Sequence, residues 1–200
     1  MTQVSINTLV EGAISGNRII SFPTDTVPAL AARPDRSELI FAAKQRRQDK
    51  PLILMAASPE ALWPYVQGSP AELKLWQQVA ASYWPGALTL VLPASEKVPA
   101  AMNSIDRTTI GIRVPNFPLA LKILEQTGPL ATTSANLSGQ APLESVAEIE
   151  AQFPEVLTLM PSELATVATG AIASSLPSTV AKWTGSNWEI LRQGAIELEC

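Results

Sequence analysis

The chain has 200 residues, 46% of them hydrophobic and 16% charged, with 14 Lys and Arg against 18 Asp and Glu for a formal net charge of -4. This suits one globular domain with a sizeable core, and it excludes a disordered chain and a broadly basic nucleic-acid binder. There is no histidine and the single cysteine is Cys200, the last residue, so a Ser-His-Asp triad, a Cys-His dyad, a His-ligated metal site and an internal disulfide are all excluded.

In chain order, the N-terminal residues lack a basic segment followed by an apolar block, so no secretory signal is expected and the chain reads as cytoplasmic. No apolar run approaches the roughly 20 residues of a membrane span. Ile6, Leu9, Val10, Ala13 and Ile14 have helical spacing over 5–17, and Gly16-Asn17 ends the run as a C-cap would. Residues 18–22 read as a strand stopped by Pro23, delivering Thr24, Asp25 and Thr26 at its C-terminal end, where ligands sit in open α/β sheets. The same three residues also fit a turn or an N-cap.

A second helix is expected over Asp35–Arg47, with Leu39, Ile40, Ala42 and Ala43 inward and Asp35 as N-cap. Its last turn opens a basic run, in which Lys44, Arg46, Arg47 and Lys50 place four cations in seven positions. The run fits a solvated helix end stabilised by the macrodipole, or a site for something anionic. Leu52–Ala56 follows as a buried strand, Ser58-Pro-Glu60 as the start of a third helix, and 70–83 as a further helix broken by Trp84-Pro85-Gly86.

Leu88–Leu92 and Thr108–Val114 read as strands. The second carries Arg113, which needs an anionic partner if it points inward, or sits on the outer face beside Pro115. Residues 117–126 are helical. The loop from Thr132 to Gly139 then gathers four hydroxyls, the Asn136 amide and a glycine, a composition suited to a phosphate nest and also to a plain polar turn. It is neither a Walker loop nor a G-x-G-x-x-G fingerprint. Residues 145–152 read as helix, 156–160 as strand and 161–175 as a small-residue loop region, with 161–176 the candidate mobile segment. Two final strands, 177–183 and 188–194, flank the hairpin signal Thr184-Gly-Ser-Asn187, with Ser178 and Arg192 beside it.

Seven segments in order resemble the YrdC-like family of L-threonylcarbamoyladenylate synthases: Phe22-Pro-Thr-Asp-Thr-Val27, Lys44 to Pro51-Leu-Ile, Trp84-Pro-Gly-Ala-Leu-Thr89, Gly111-Ile-Arg113-Val-Pro115, Thr133-Ser134-Ala-Asn136-Leu-Ser-Gly139, Pro177-Ser178-Thr179-Val180 and Leu191-Arg192-Gln-Gly194. The resemblance implies an α+β fold over 1–200, the short single-domain form, with a twisted mixed open sheet flanked by helices and a concave, positively charged cleft. It implies a nucleotidyltransferase that joins L-threonine, bicarbonate and ATP, with Mg²⁺, and releases pyrophosphate. This is the first step of the threonylcarbamoyl modification of tRNA adenosine 37, and tRNA-modification proteins would consume the product.

By the same resemblance Lys44 and Arg46 are the catalytic pair. Lys44, Arg46 and Lys50 face the triphosphate, while Thr109, Ser134, Asn136 and Arg192 hold the nucleotide. Thr26, Arg113, Thr132 and Ser178 hold threonine, with no metal ligand from the protein. The chain departs from the family pattern at Pro28 and Ala29, where tyrosine and glycine are common, at Met55, where many members have histidine, and at Arg47, where proline is usual. Two other readings stand beside this one: a paralogue acting on a different amine, and an RNA-binding or ribosome-maturation module using the basic run, which the pI near 4.9 disfavours.

Overall fold

The computed structural model describes residues 2–45, 50–103, 106–165 and 176–198. Its ten strands are β1 (Gln3–Val4), β2 (Ile20–Phe22), β3 (Ala29–Ala32), β4 (Ile53–Met55), β5 (Leu88–Pro93), β6 (Thr109–Arg113), β7 (Leu130–Ser134), β8 (Thr158–Leu159), β9 (Thr179–Trp183) and β10 (Trp188–Arg192). Eight form one open sheet in the order β10-β9-β5-β6-β4-β7-β3-β2, while β1 and β8 make a small parallel pair. The large sheet is mixed, since β5/β9 and β4/β6 pair parallel and the other neighbours antiparallel. Among the described residues the six α-helices are α1 (Ile6–Ser15), α2 (Glu38–Ala43), α3 (Pro70–Tyr83), α4 (Pro118–Thr127), α5 (Val146–Gln152) and α6 (Pro161–Ala165).

Local chemistry sets the clearest boundaries. Ser5 caps α1 by accepting from the Thr8 amide, and Gly16 closes it in the left-handed region at φ 72°. Capping boxes start α3 (Ser69 with Glu72) and α5 (Ser145 with Glu148), each satisfying two end groups that would otherwise lack partners.

Period-2 alternation gives the central strands two distinct faces. Leu88, Leu90, Leu92, Ile110, Ile112 and Leu54 point to the back, where Ile40, Phe41, Trp76 and Ala80 from α2 and α3 cover them. Each of the leucine, isoleucine and phenylalanine side chains contributes about 1.5–3 kcal/mol by leaving water. On the front, α1 and α4 cover the β2–β3 end, with Leu9, Leu119 and Ile123 against Ile20, Phe22, Ala31 and Met55. The hairpin β9–β10 is pinned to α3 because the Trp183 indole stands edge-on to Trp76, 6.4 Å between ring centroids, and donates to Glu72 at 3.0 Å. Among the described residues no helix is long and apolar enough to cross a membrane.

The helix expected over Asp35–Arg47 is shorter. A 3₁₀ turn occupies Pro34–Arg36, Ser37 rather than Asp35 precedes α2, and α2 stops at Ala43 because Gln45 turns left-handed at φ 47°. Ile40 and Phe41 are buried and Ala42 is exposed, a rotation of the expected face. The helix expected after Ser58 is two 3₁₀ turns, Pro59–Ala61 and Trp63–Tyr65, since Pro64 cannot donate to a continuing helix. Within 161–175, α6 takes the first five residues and 166–175 lie outside the described residues.

Candidate active site

The open part of the front face is a cleft of about 580 Å³ over β4, β5, β6 and β9, walled by the loops after β2 and β7 and by the end of β10. The register makes its floor legible. Thr109, Gly111 and Arg113 share the front face of β6, and Arg113 aligns with Met55 on β4 while Gly111 aligns with Ile53 and with Val91 on β5. On β9, Val180 aligns with Thr89 and with Arg192 of β10, and Lys182 aligns with Val91. One row therefore runs Arg192, Val180, Thr89, Arg113, Met55, and the next runs Lys182, Val91, Gly111, Ile53, Thr132. Gly111 leaves the middle of this floor low. An added Cβ would touch Ile53 and Thr89 at 3.5 Å, an ordinary contact, so the glycine supplies room and avoids no clash.

Arg113 points inward and is 2% exposed. Its Nη2 donates to Asp25 Oδ1 at 2.7 Å, Nη1 to Thr26 Oγ1 at 3.0 Å and Nε to the Gly86 carbonyl at 3.0 Å. Of a guanidinium's five N–H donors three are thus committed, leaving two for a ligand. Burial lowers the Arg113 pKa from its ordinary value; the Asp25 carboxylate opposes that shift and the Arg192 cation adds to it. Thr24 fixes the loop, with its hydroxyl donating to the Val27 carbonyl at 2.8 Å and lying 3.1 Å from Thr26 Oγ1.

At the other end of the same row, Arg192 donates to the Ser178 carbonyl from Nε and Nη2 (3.1 and 2.9 Å) and to Ser178 Oγ at 3.2 Å. Ser178 Oγ is 2.9 Å from Thr89 Oγ1, and both are buried. Gly194 lets the chain after β10 close on this segment. A Cβ there would lie 2.3 Å from the Pro177 carbonyl oxygen and 2.4 Å from Ser178 C, which no side chain can occupy. Arg192 meets no carboxylate within ion-pair distance among the described residues.

The loop after β7 is held from below by Lys44, which is 1% exposed. Its ammonium donates to the Ser134 carbonyl, to Asn136 Oδ1 at 3.0 Å and to Thr133 Oγ1 at 3.4 Å. Ser134 Oγ in turn donates to Asn136 Oδ1 at 2.6 Å, and the Thr132 hydroxyl donates to the Ile53 carbonyl at 3.0 Å. Thr109 lies beside Asp106, whose carboxylate accepts from the Thr108 amide and hydroxyl. Those bonds, more than Thr109 or the nearby Lys182 charge, hold its pKa below the ordinary carboxylate value.

Eight of the residues named from the sequence line this one cleft: Thr26, Thr109, Arg113, Thr132, Ser134, Asn136, Ser178 and Arg192. Lys44 and Lys50 do not line it; Lys44 is sequestered under the loop, and the exposed Lys50 reaches Ser138 Oγ at 3.4 Å. Arg46 and Arg47 lie outside the described residues. Pro28, Ala29 and Met55, the departures from the family pattern, are all in the lining. Sequence reasoning missed Asp25 as the partner of Arg113, along with Thr89, Asn103, Asp106 and Lys182 in the lining. The alternation of 89 with 91 and of 180 with 182 on front faces was the signal available for Thr89 and Lys182.

An open mixed sheet with helices on both faces, and a cleft lined by arginine, hydroxyls and a polar loop, define an α+β protein. Residues 12–194 match the family of Sua5, YciO and YrdC proteins, described as "Telomere recombination", and the chain belongs to that family. The chain is 35% identical over 152 residues to a threonylcarbamoyl-AMP synthase of Vibrio vulnificus strain YJ016, covering 74% of this chain and 81% of that protein. The structure of P. abyssi Sua5 complexed with L-threonine matches with a TM-score of 0.79 at 31% identity, over 94% of this chain and 54% of that one, so the chain spans about half the length of that relative. E. coli YciO matches with a TM-score of 0.78 at 25% identity, over 97% and 91% of the two chains. The resemblance read from the ordered motifs and the α+β open-sheet fold are both borne out.

Proposed function

We propose that this chain makes L-threonylcarbamoyladenylate from L-threonine, bicarbonate and ATP, releasing pyrophosphate, and that 1–200 acts as one YrdC-like domain. The observation that carries the proposal is the row on the front face, which sets Arg113 in a small niche with Thr26 at one end and an unneutralised Arg192 beside Ser178 at the other. One end fits a small amino acid, and the other fits a phosphate.

Threonine's amine takes up the carbon of bicarbonate with loss of water, giving a carbamate. A carbamate oxygen attacks the α-phosphorus of ATP, the bond to the bridging oxygen breaks, and pyrophosphate carries away the electron pair. Such a step needs alignment and charge neutralisation and no histidine base. Arg113 offers its two uncommitted N–H groups to the amino-acid carboxylate, a planar fork that lysine could not copy. Thr26 and Thr132 flank the amino acid, Ser178 reaches it from the Arg192 end, and Thr109, Ser134, Asn136 and Arg192 hold the nucleotide.

Lys44 acts by fixing the Ser134–Asn136 loop, and the family resemblance assigns the triphosphate to Lys50 and Arg46 of the basic run. Mg²⁺ suits the reaction as a partner of the triphosphate. Among the described residues no group of three His, Cys, Asp or Glu could cage it, so phosphates and water would supply most of its oxygen ligands. Proteins of tRNA modification would consume the product in the cytoplasm. The test is pyrophosphate release by purified protein: release that requires both threonine and bicarbonate supports the reading, and release indifferent to either overturns it. Replacing threonine by other amino acids in the same assay decides whether Pro28, Ala29 and Met55 have changed the amine accepted.

A further inference from the structure

Three cations line the cleft among the described residues, Arg113, Lys182 and Arg192, and they are not equivalent. Arg113 is neutralised by Asp25 at 2.7 Å. Arg192 carries a whole unneutralised charge but spends donors on Ser178. Lys182 is half-buried on the front face of β9, and its ammonium makes no hydrogen bond or ion pair with any described residue. Asp106, the acid whose charge it feels, has its carboxylate occupied by the Thr108 and Thr109 groups.

A lysine on a central strand has its stem on the sheet and its head free to move, an arrangement that keeps a strongly hydrated charge available to an incoming anion. Lys182 stands two residues along β9 from Val180, the register partner of Arg192. That offset sets the two cations on one face about 7 Å apart along the strand.

We infer that Lys182 is a further anion-binding residue of this cleft, which takes the phosphate chain of the nucleotide together with Arg192. The inference rests on the reading of the cleft as a nucleotide site. A triphosphate brings several negative charges, and with Arg113 already neutralised the described lining without Lys182 would offer Arg192 alone, Lys44 and Lys50 of the basic run standing outside that lining. Lys182 supplies the second charge from the floor, across the low point left by Gly111, with no desolvated acid to release first.

The test uses the full chain and compares Lys182→Met, which keeps the stem and removes the charge, with Lys182→Arg, which keeps the charge. Affinity for a non-hydrolysable ATP analogue, for AMP and for pyrophosphate is measured by calorimetry, and KM for ATP and for threonine by pyrophosphate release. Lys182→Met should weaken the ATP analogue and pyrophosphate about tenfold. It should leave AMP and the threonine KM within about twofold, and flatten the salt dependence of ATP binding. Lys182→Arg should restore most of the loss, and both variants should melt with the wild type. Unchanged ATP-analogue affinity in Lys182→Met, an equal loss for AMP, or an arginine variant as weak as the methionine one each overturns the inference. If the wild type itself binds no nucleotide, it is the reading of the cleft that fails, a result distinct from any of these.

Discussion

Substituting Asp25 by Asn removes one charge of a buried pair and little else. Side-chain exposure is 3% for Arg113 and 13% for Asp25, and their atoms are 2.7 Å apart. Breaking a buried pair by removing one partner costs about 3–5 kcal/mol, because the other charge stays in the protein without its counter-ion. Asp25 sits nearer water than Arg113, and the asparagine oxygen can still accept one hydrogen bond. The expected loss is therefore at or just below the lower end, about 2–3 kcal/mol. In a chain of this size that lowers the melting temperature by about 4–12 °C. Denaturant unfolding of Asp25→Asn, Arg113→Met and the double variant forms a cycle. The double variant should be more stable than the sum of the singles predicts by about 1–2 kcal/mol, since it leaves no orphan charge. An Asp25→Asn loss below about 0.5 kcal/mol, or strict additivity, would refute the claim that this aspartate neutralises Arg113.

Gly111→Val should fill the low point of the floor and weaken the ATP analogue at least tenfold while leaving the melting temperature unchanged or raised, because a β-branched residue suits a strand and its Cβ meets only ordinary contacts; calorimetry and thermal unfolding check the two halves separately. Gly194→Ala must push the segment after β10 away from the Pro177 and Ser178 backbone, so KM should rise for ATP through Arg192 and for threonine through Ser178, measured by pyrophosphate release. Stability should be flat between about pH 5 and 8, since the chain has no histidine to titrate there. It should fall only in acid: Asp106 and Glu150 are held below their ordinary values of 3.8 and 4.5 by hydrogen bonds from Thr108 and from Gln3 and Thr158. A carboxylate with a lowered folded pKa stabilises above its ordinary value and loses that contribution as the pH falls through the folded one. Unfolding free energies measured from pH 3 to 8 give the curve, and a step near neutrality would contradict it.

How much of this was legible in the sequence depended on the range of the interaction that fixes each residue. The helix at 6–15 and the hairpin at 184–187 are local devices, set by Ser5, Gly16 and a short polar turn, and both were readable. β3 was not. Its residues, Ala29-Leu-Ala-Ala32, are buried on both faces and alternate with nothing, so period-2 reasoning had no contrast to use. The helix expected to run through the basic segment ends at Ala43 because Lys44 turns under a loop some ninety residues later, a partner no local pattern reveals. Arg113 falls between these cases. An inward arginine in an apolar strand demanded an anion, which the sequence could say; that the first anion is Asp25, from the loop after edge strand β2, it could not. The site residues were legible as ordered motifs, while the register that puts Lys182 and Thr89 among them emerged only with the fold.

The account stands on one cleft with two subsites, and selective loss of binding tests this most directly. Calorimetric titration of L-threonine and of a non-hydrolysable ATP analogue into the wild type, Arg113→Met and Arg192→Met should show both ligands bound by the first. Threonine affinity should fall at least tenfold in the second with the analogue nearly unaffected, and the reverse in the third. Two ligands weakened equally by either substitution, or by neither, would contradict it.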